Sequence, residues 1–199
     1  MPATQTKLPR GRPRTMRPEA VLQVATEAYW HEGPGVSLNA ICQRAGVAKP
    51  SLYREFGSED GLTLAALDHY AGLVQSQVKG LLSSKLSFAA KLEALIVFMS
   101  EDPRYEHGCL FVKMRGAQLD LGPKTRAKVA EIEAATVEIF TRFFRSSRRK
   151  EEWMGRIKPH FAAQYLHAQI GLAASQRALG VKPATVKLCL QYALSVLRP

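Results

Sequence analysis

The chain has 199 residues, 28 Lys and Arg against 17 Asp and Glu, a formal net charge of +11 and three cysteines. That length supports one or two domains with a sizeable core, and the charge favours a polyanionic partner, either nucleic acid or an anionic membrane surface. Cys42, Cys109 and Cys189 lie far apart with no CxxC pair, and no apolar run resembles a signal peptide or a membrane span, so a soluble protein of a reducing cytoplasm is expected and a disulfide framework is not.

Residues 1–17 read as a basic arm whose charges are Lys7, Arg10, Arg12, Arg14 and Arg17. Its prolines keep it extended, so it is expected to be disordered when free. The run Arg10–Gly11–Arg12–Pro13 looks like an AT-hook, a segment that lies in a narrow A·T-rich minor groove. Arg10, Arg12 and Arg14 are therefore candidate DNA contacts; the plain alternative is a solubilising tail. Pro18 then opens a first helix that runs to Glu32. Proline suits a first turn and Glu19 complements the dipole there. Val21, Leu22, Ala25, Ala28 and Tyr29 make its inward stripe, and Gly33–Pro34–Gly35 ends it.

Residues 37–56 read SLNAICQRAGVAKPSLYREF. Ser37 can cap a helix through its hydroxyl. Leu38, Ile41 and Ala45 follow at helical period. Gly46 stands where a helix ends with positive φ. A second helix starts near Lys49, with Pro50 in its first turn. Leu52 and Phe56 face inward, while Ser51 and Arg54 lie on the outer face with Tyr53 at its edge. Gly57 stops it. Two short helices joined by a glycine-containing turn form a helix-turn-helix, whose second helix enters the major groove.

On these residues the segment from about Arg17 to Tyr70 resembles the DNA-binding domain of the TetR family of bacterial repressors. The marks are the apolar helix ending at Gly33, the run Ile41–Ala45–Gly46–Val47, the Leu52–Tyr53 pair, Phe56 and the Leu62-led helix after it. They cover a quarter to a third of the chain. One position departs from the pattern. Relatives often place a lysine after the helix-start serine, against a phosphate; here Glu59 and Asp60 follow Ser58. Two acids suit a helix N-terminus, and that phosphate contact is in doubt.

A long helix is expected from Ser58 to about Leu82, with Leu62, Ala65, Tyr70, Leu73 and Val74 as its apolar positions. Helices are expected next over 88–100, from Leu110 to about Leu121, from Gly122–Pro123 past Phe143, over 159–179 and over 183–197. Residues 145–150 are a basic run, read as a solvated helix end. No strand pattern and no internal repeat is visible. The helix over 159–179 is rich in Ala and Gly, and the final one is apolar on more than one face. A helix apolar nearly all round must be buried on more than one side. A second copy could cover the outer side, and the resemblance implies a homodimer through these two helices; a monomeric bundle with a deep core is the alternative.

The expected fold is thus all-α: a basic arm (1–17), a three-helix helix-turn-helix domain (18–62) and a helical effector-binding and dimerisation domain (63–199). The expected function is a ligand-responsive transcriptional regulator, a homodimeric repressor of an inverted-repeat operator in double-stranded DNA, with activation left open. Ser51 and Arg54 could reach base edges, Arg54 by forking onto guanine, unless it pairs with Glu55. Tyr53 would give its hydroxyl to a phosphate, as the resemblance implies. Lys49, Ser37 and Asn39 are phosphate or helix-end contacts. By resemblance, a small apolar effector binds the second domain and shifts the long helix. Met99, Phe111, Met114, Tyr165 and Gln169 are its candidate pocket residues, each also readable as plain core.

Three rivals compete. An enzyme would need a nucleophile, base or metal constellation. His107 with Cys109, and His160 with His167, lack a third ligand, and neither a phosphate loop nor a nucleophile elbow is present. No cofactor and no metal is expected. A cysteine-based redox or metal-responsive repressor would centre on Cys109 and needs an exposed thiol of lowered pKa. A non-specific basic DNA-binding or membrane-surface protein is permitted by charge alone.

Overall fold

The computed structural model describes residues 17–198. The arm, with Arg10, Arg12 and Arg14, lies outside the described residues. Among the described residues there are α-helices and short 3-10 turns and no strand. The helices are α1 (Pro18–Glu32), α2 (Leu38–Ala45), α3 (Lys49–Phe56), α4 (Glu59–Leu82), α5 (Phe88–Glu101), α6 (Leu110–Gly116), α7 (Pro123–Arg149), α8 (Pro159–Ala178) and α9 (Pro183–Leu194). No helix is long and apolar enough to cross a membrane among the described residues.

Local chemistry sets most of these boundaries. Ser37, Ser58 and Ser87 each accept a hydrogen bond from the backbone N–H three residues on, opening α2, α4 and α5. Prolines stand in the first turn of α1, α3, α7, α8 and α9, where the missing N–H has no intrahelical partner. Gly46 ends α2 in the left-handed region, at φ 65°.

Three expectations need correction. The helix from Leu110 stops at Gly116 and continues as a 3-10 turn (Gln118–Asp120) instead of running to Leu121; glycine is the weakest helix former after proline. The last helix ends at Leu194 and finishes as a 3-10 turn (Ser195–Leu197). Leu73 is 55% exposed, not an inward position of α4, because α4 packs on α1 and α7 with Tyr70 and Ala71 turned in instead.

α1, α2 and α3 pack on the first half of α4 around Val21, Ala25, Tyr29, Ile41, Leu52 and Leu62. The second half of α4 enters a bundle with α5, α7, α8 and α9. α4 is continuous across residue 62, so one rod carries both cores. The large aromatic knot Phe88–Phe143–Phe144–Trp153 fills the end of the bundle away from the helix-turn-helix. Trp153 is fully buried and gives its ring N–H to the Leu197 carbonyl at 3.0 Å, which ties down the C-terminus.

Candidate nucleic-acid interface

α3 turns Leu52 into the core, 1% exposed, and leaves Tyr53, Arg54 and Glu55 in solvent. Its register follows from sequence: only Leu52 and Phe56 of α3 have large apolar side chains one turn apart on the inner face. Ser51 and Lys49 are half-buried beside that face, and Tyr53 is 44% exposed. Arg54 forms no ion pair among the described residues, so its pairing with Glu55 is not made. Ser37 is engaged as the α2 cap, at 3.2 Å from the Ala40 N–H, and Asn39 in the first turn is exposed. Ser37, Asn39, Tyr53 and Arg54 are thus exposed on α2 and α3, with Ser51 half-buried beside them. Arg44 and Glu32 form a two-point ion pair that holds the end of α2 to the end of α1. This geometry presents a short helix with an arginine, a tyrosine hydroxyl and a serine at its surface, the donor set that reads bases and grips phosphates.

The comparisons agree with it. The family model described as "Bacterial regulatory proteins, tetR family" matches residues 21–66. The chain is 37% identical over 65 residues to the transcriptional repressor ComR of Escherichia coli, and 36% identical over 69 residues to the repressor BdcR of that organism. Those alignments span about a third of each relative (31% and 34%) and of this chain (32% and 34%). The whole architecture is matched as well. The reduced form of E. coli NemR superposes with a TM-score of 0.81 over 90% of this chain and 96% of that one, at 19% identity. The TetR-family regulator CifR, solved as a cysteine mutant with 26-bp double-strand operator DNA, gives 0.77 over 92% and 98% at 25% identity. The head thus matches the TetR-family model, and nearly the whole chain shares the fold of the TetR-family regulator CifR.

The second candidate site is a narrow cavity of about 70 Å³ between α4, α5, α6, α7 and α8. Of the five residues expected to line a pocket, Met99 and Phe111 do. Met114 is fully buried core, and Tyr165 gives its hydroxyl to the Ala193 carbonyl at 2.9 Å, fastening α8 to α9. Gln169 is half-exposed and does not line the cavity either. Helical period alone cannot tell a residue facing a cavity from one facing core.

Sequence reasoning missed Tyr70, Ile132, Phe140 and His167, which also line the cavity. The Tyr70 hydroxyl is buried with no hydrogen-bond partner among the described residues. Burial pushes it well up, and the neighbouring Cys109 and Tyr105 add to this. Burial also pushes the Cys109 thiol up, against the smaller opposing pull of Tyr70, the α6 N–H groups and Arg115. A buried, protonated thiol is the reverse of what a reactive cysteine needs. Burial and then Arg115 lower the His167 imidazole, with Glu133 opposing, so it is neutral at pH 7. Among the described residues no group of three His, Cys, Asp or Glu is placed to hold a metal.

α6 joins the cavity to the head. Lys113 donates to the Trp30 carbonyl at 2.6 Å and to the His31 carbonyl at 3.1 Å, capping the last turn of α1. In return the Trp30 ring N–H donates to the Gly108 carbonyl at 2.8 Å, and the ring lies edge-on to Tyr70, 4.9 Å between centroids. Gly108 is required here: its φ is +79°, and a Cβ would come within 2.7 Å of the Ala178 side chain and 2.8 Å of the Ala174 carbonyl. Phe111 and Val112, on the same helix, line the cavity.

Proposed function

We propose that this protein is a ligand-responsive transcriptional repressor that binds an inverted-repeat operator as a homodimer and takes a small apolar effector. The observation that carries the reading is the exposed face of α3, where Tyr53 and Arg54 make no side-chain hydrogen bond or ion pair among the described residues. Arg54 reads a base, Tyr53 grips a phosphate, and Lys49, Ser37, Asn39 and Ser51 position the head. The basic arm, through Arg10, Arg12 and Arg14, adds minor-groove or phosphate contact. One copy buries too little surface for high specificity, and a two-fold pair reads two half-sites about a helical turn, or a multiple of one, apart.

The dimer reading is supported by two stripes of uncovered apolar side chains. Phe161 and Leu172 on α8 and Leu179 just past its end are 57%, 56% and 82% exposed; Leu188 and Tyr192 on α9 and Val196 in the 3-10 turn after it are 54%, 74% and 70% exposed. Each set repeats at helical spacing, and apolar side chains grouped on adjacent helices mark an interaction surface. A second copy, applied by a two-fold axis, covers the same stripes on both chains.

The effector reading rests on the apolar cavity and on α6. A ligand that displaces Phe111 or Val112 moves the helix that holds α1 through Lys113 and Gly108. The equilibrium moves only as far as the ligand's affinities for the two states differ. On this cavity Tyr70 offers a buried hydroxyl without a hydrogen-bond partner among the described residues, so an apolar molecule with a single acceptor atom fits best. The protein is a regulator and not a catalyst in this reading, and it acts in the cytoplasm.

The test is DNA-binding anisotropy with the promoter region beside its own gene, against scrambled DNA, across a salt series. Tight sequence-dependent binding, weakened by Tyr53→Phe and by Arg54→Ala, supports the reading. Equal affinity for both DNAs would instead identify a non-specific basic binder. A smaller salt slope without residues 1–16 places the arm on phosphates.

A further inference from the structure

A second pocket lies away from the helix-turn-helix, at the end of the bundle where α4 finishes and α5 begins, against the last turns of α7. It encloses about 330 Å³ and is lined by Lys79, Lys91, Arg142 and Lys150, with Glu152 as its one carboxylate. α7 supplies its wall through Ile139, Arg142, Phe143, Ser146 and Lys150, positions three or four apart that share one helix face. The basic run expected to be a solvated helix end is divided by this arrangement. Arg148 turns inward, donating to the carbonyl of Gly155 and, at 2.7 Å, to that of Ile157, over the Trp153 ring, while Lys150 stays on the pocket.

Two features of this pocket are unexplained by folding alone. Lys91 is only 7% exposed, and no hydrogen bond or ion pair holds its ammonium among the described residues. Its stem is packed into the interior, and its end reaches the pocket. The Ser84 hydroxyl, on the same pocket, is buried with no hydrogen-bond partner. Lys79 and Lys150 have a structural role, since each lies in or just past the last turn of its helix, where a cation complements the dipole. That role does not extend to Lys91, which sits within α5, or to Arg142, which is two turns from the end of α7 and meets only the exposed Glu138.

We propose that this pocket is a binding site for a tetrahedral oxyanion, inorganic phosphate or the phosphate of a small phosphomonoester. Three ammonium groups, a guanidinium and the Ser84 hydroxyl offer more donors than one carboxylate can accept, and the oxygens of a phosphate can accept from several of them. Ile139, Phe143 and Leu82 give the rest of the pocket an apolar wall, against which the organic part of a phosphomonoester packs. The site is separate from the cavity under α6 and from the DNA face, so it stands independently of the repressor reading.

The experiment is thermal denaturation of the full chain with sodium phosphate, phenyl phosphate, acetate and chloride at matched ionic strength, without DNA. The expected result is a saturable rise in Tm with phosphate and phenyl phosphate, beyond that with acetate or chloride. Lys91→Met, which keeps the buried stem and removes the charge, is expected to fold with unchanged or higher Tm and to need at least tenfold more phosphate for the same shift. Arg142→Ala, an exposed substitution that cannot disturb the core, is expected to weaken the response at least threefold. A phenyl phosphate midpoint below that of phosphate assigns the site to a phosphomonoester, and equal midpoints assign it to inorganic phosphate. The proposal is overturned by a phosphate response no larger than that to chloride. It is equally overturned by a response that both variants retain, which would place the anion elsewhere, including on the DNA face.

Discussion

Asp60 and Thr125 are joined across the two halves of the molecule. The Asp60 carboxylate, in the first turn of α4, accepts the Thr125 N–H at 3.0 Å and the Thr125 hydroxyl at 2.6 Å, and it accepts the Lys124 N–H at 2.9 Å. It therefore caps α7 from another helix, a role no local motif announces. Gly122 makes room for it: a Cβ there would fall within 2.3 Å of the Asp60 side chain. Asp60→Ala leaves the α7 N–H groups unpaired and is expected to cost about 2 kcal/mol, the upper range for a lost cap. Burial acts to raise the Asp60 carboxyl, but the Thr125 hydroxyl and the two N–H groups outweigh it and hold it below its ordinary 3.8. The unfolded chain thus binds the proton more readily. The contribution is whole above about pH 4 and is lost as pH falls through the lowered value. Urea denaturation at pH 7 and pH 3 checks this: the gap between wild type and Asp60→Ala should narrow at the lower pH.

Lys113 ties α6 to the carbonyls of Trp30 and His31, so it holds the head to the cavity-lining helix. Lys113→Met keeps the stem but removes two charge-assisted bonds. The global stability is expected to fall by about 1–2 kcal/mol. The local effect is the sharper check: hydrogen exchange at the end of α1 should quicken more than exchange in α8. Uniform quickening in both helices would show that the bond does not hold the head in particular.

The helix-turn-helix was legible because every one of its boundaries is local. Ser37, Gly46, Pro50 and Gly57 each act on their own turn, and Leu38, Ile41 and Leu52 each face the core by period alone. The relations that join the halves were not. Asp60 reads as a dipole partner of α4, and only tertiary packing brings α7 to it. Lys113 and Trp30 are 83 residues apart. Lys91 reads as the polar position of an amphipathic helix, and its burial depends on α4 and α7 closing over it. The cavity was half-legible for the same reason: Phe111 and Met114 lie one turn apart on α6, one on the cavity and the other in core, and nothing local distinguishes a wall from a core.

Tyr70 carries a buried hydroxyl without a partner, facing the cavity. Leaving such a group unpaired costs roughly 1–3 kcal/mol, so removing it with its shape kept is favourable or neutral. Tyr70→Phe is expected to leave stability unchanged or raise it by up to about 1 kcal/mol. Chemical denaturation checks this without any ligand. A loss of more than about 1 kcal/mol would show that the hydroxyl is bonded in the folded protein and is not free for an effector.

The apolar stripes of α8 and α9 require a cover, and the reading of a two-fold homodimer fixes what breaking it must do. Leu188→Asp with Tyr192→Glu places two carboxylates on positions that are 54% and 74% exposed in the single chain. The substitutions therefore leave the monomer core intact, while in a two-fold interface each acid meets apolar surface of the partner and buries without a counter-charge. Sedimentation velocity should show a dimer for wild type and a monomer for the double variant, with the helical circular dichroism of both alike. Operator affinity should fall at least a hundredfold in the variant, because two half-sites are no longer gripped together. A variant that stays dimeric would move the interface to another face, and a monomeric variant with full operator affinity would remove the need for a two-fold pair on DNA.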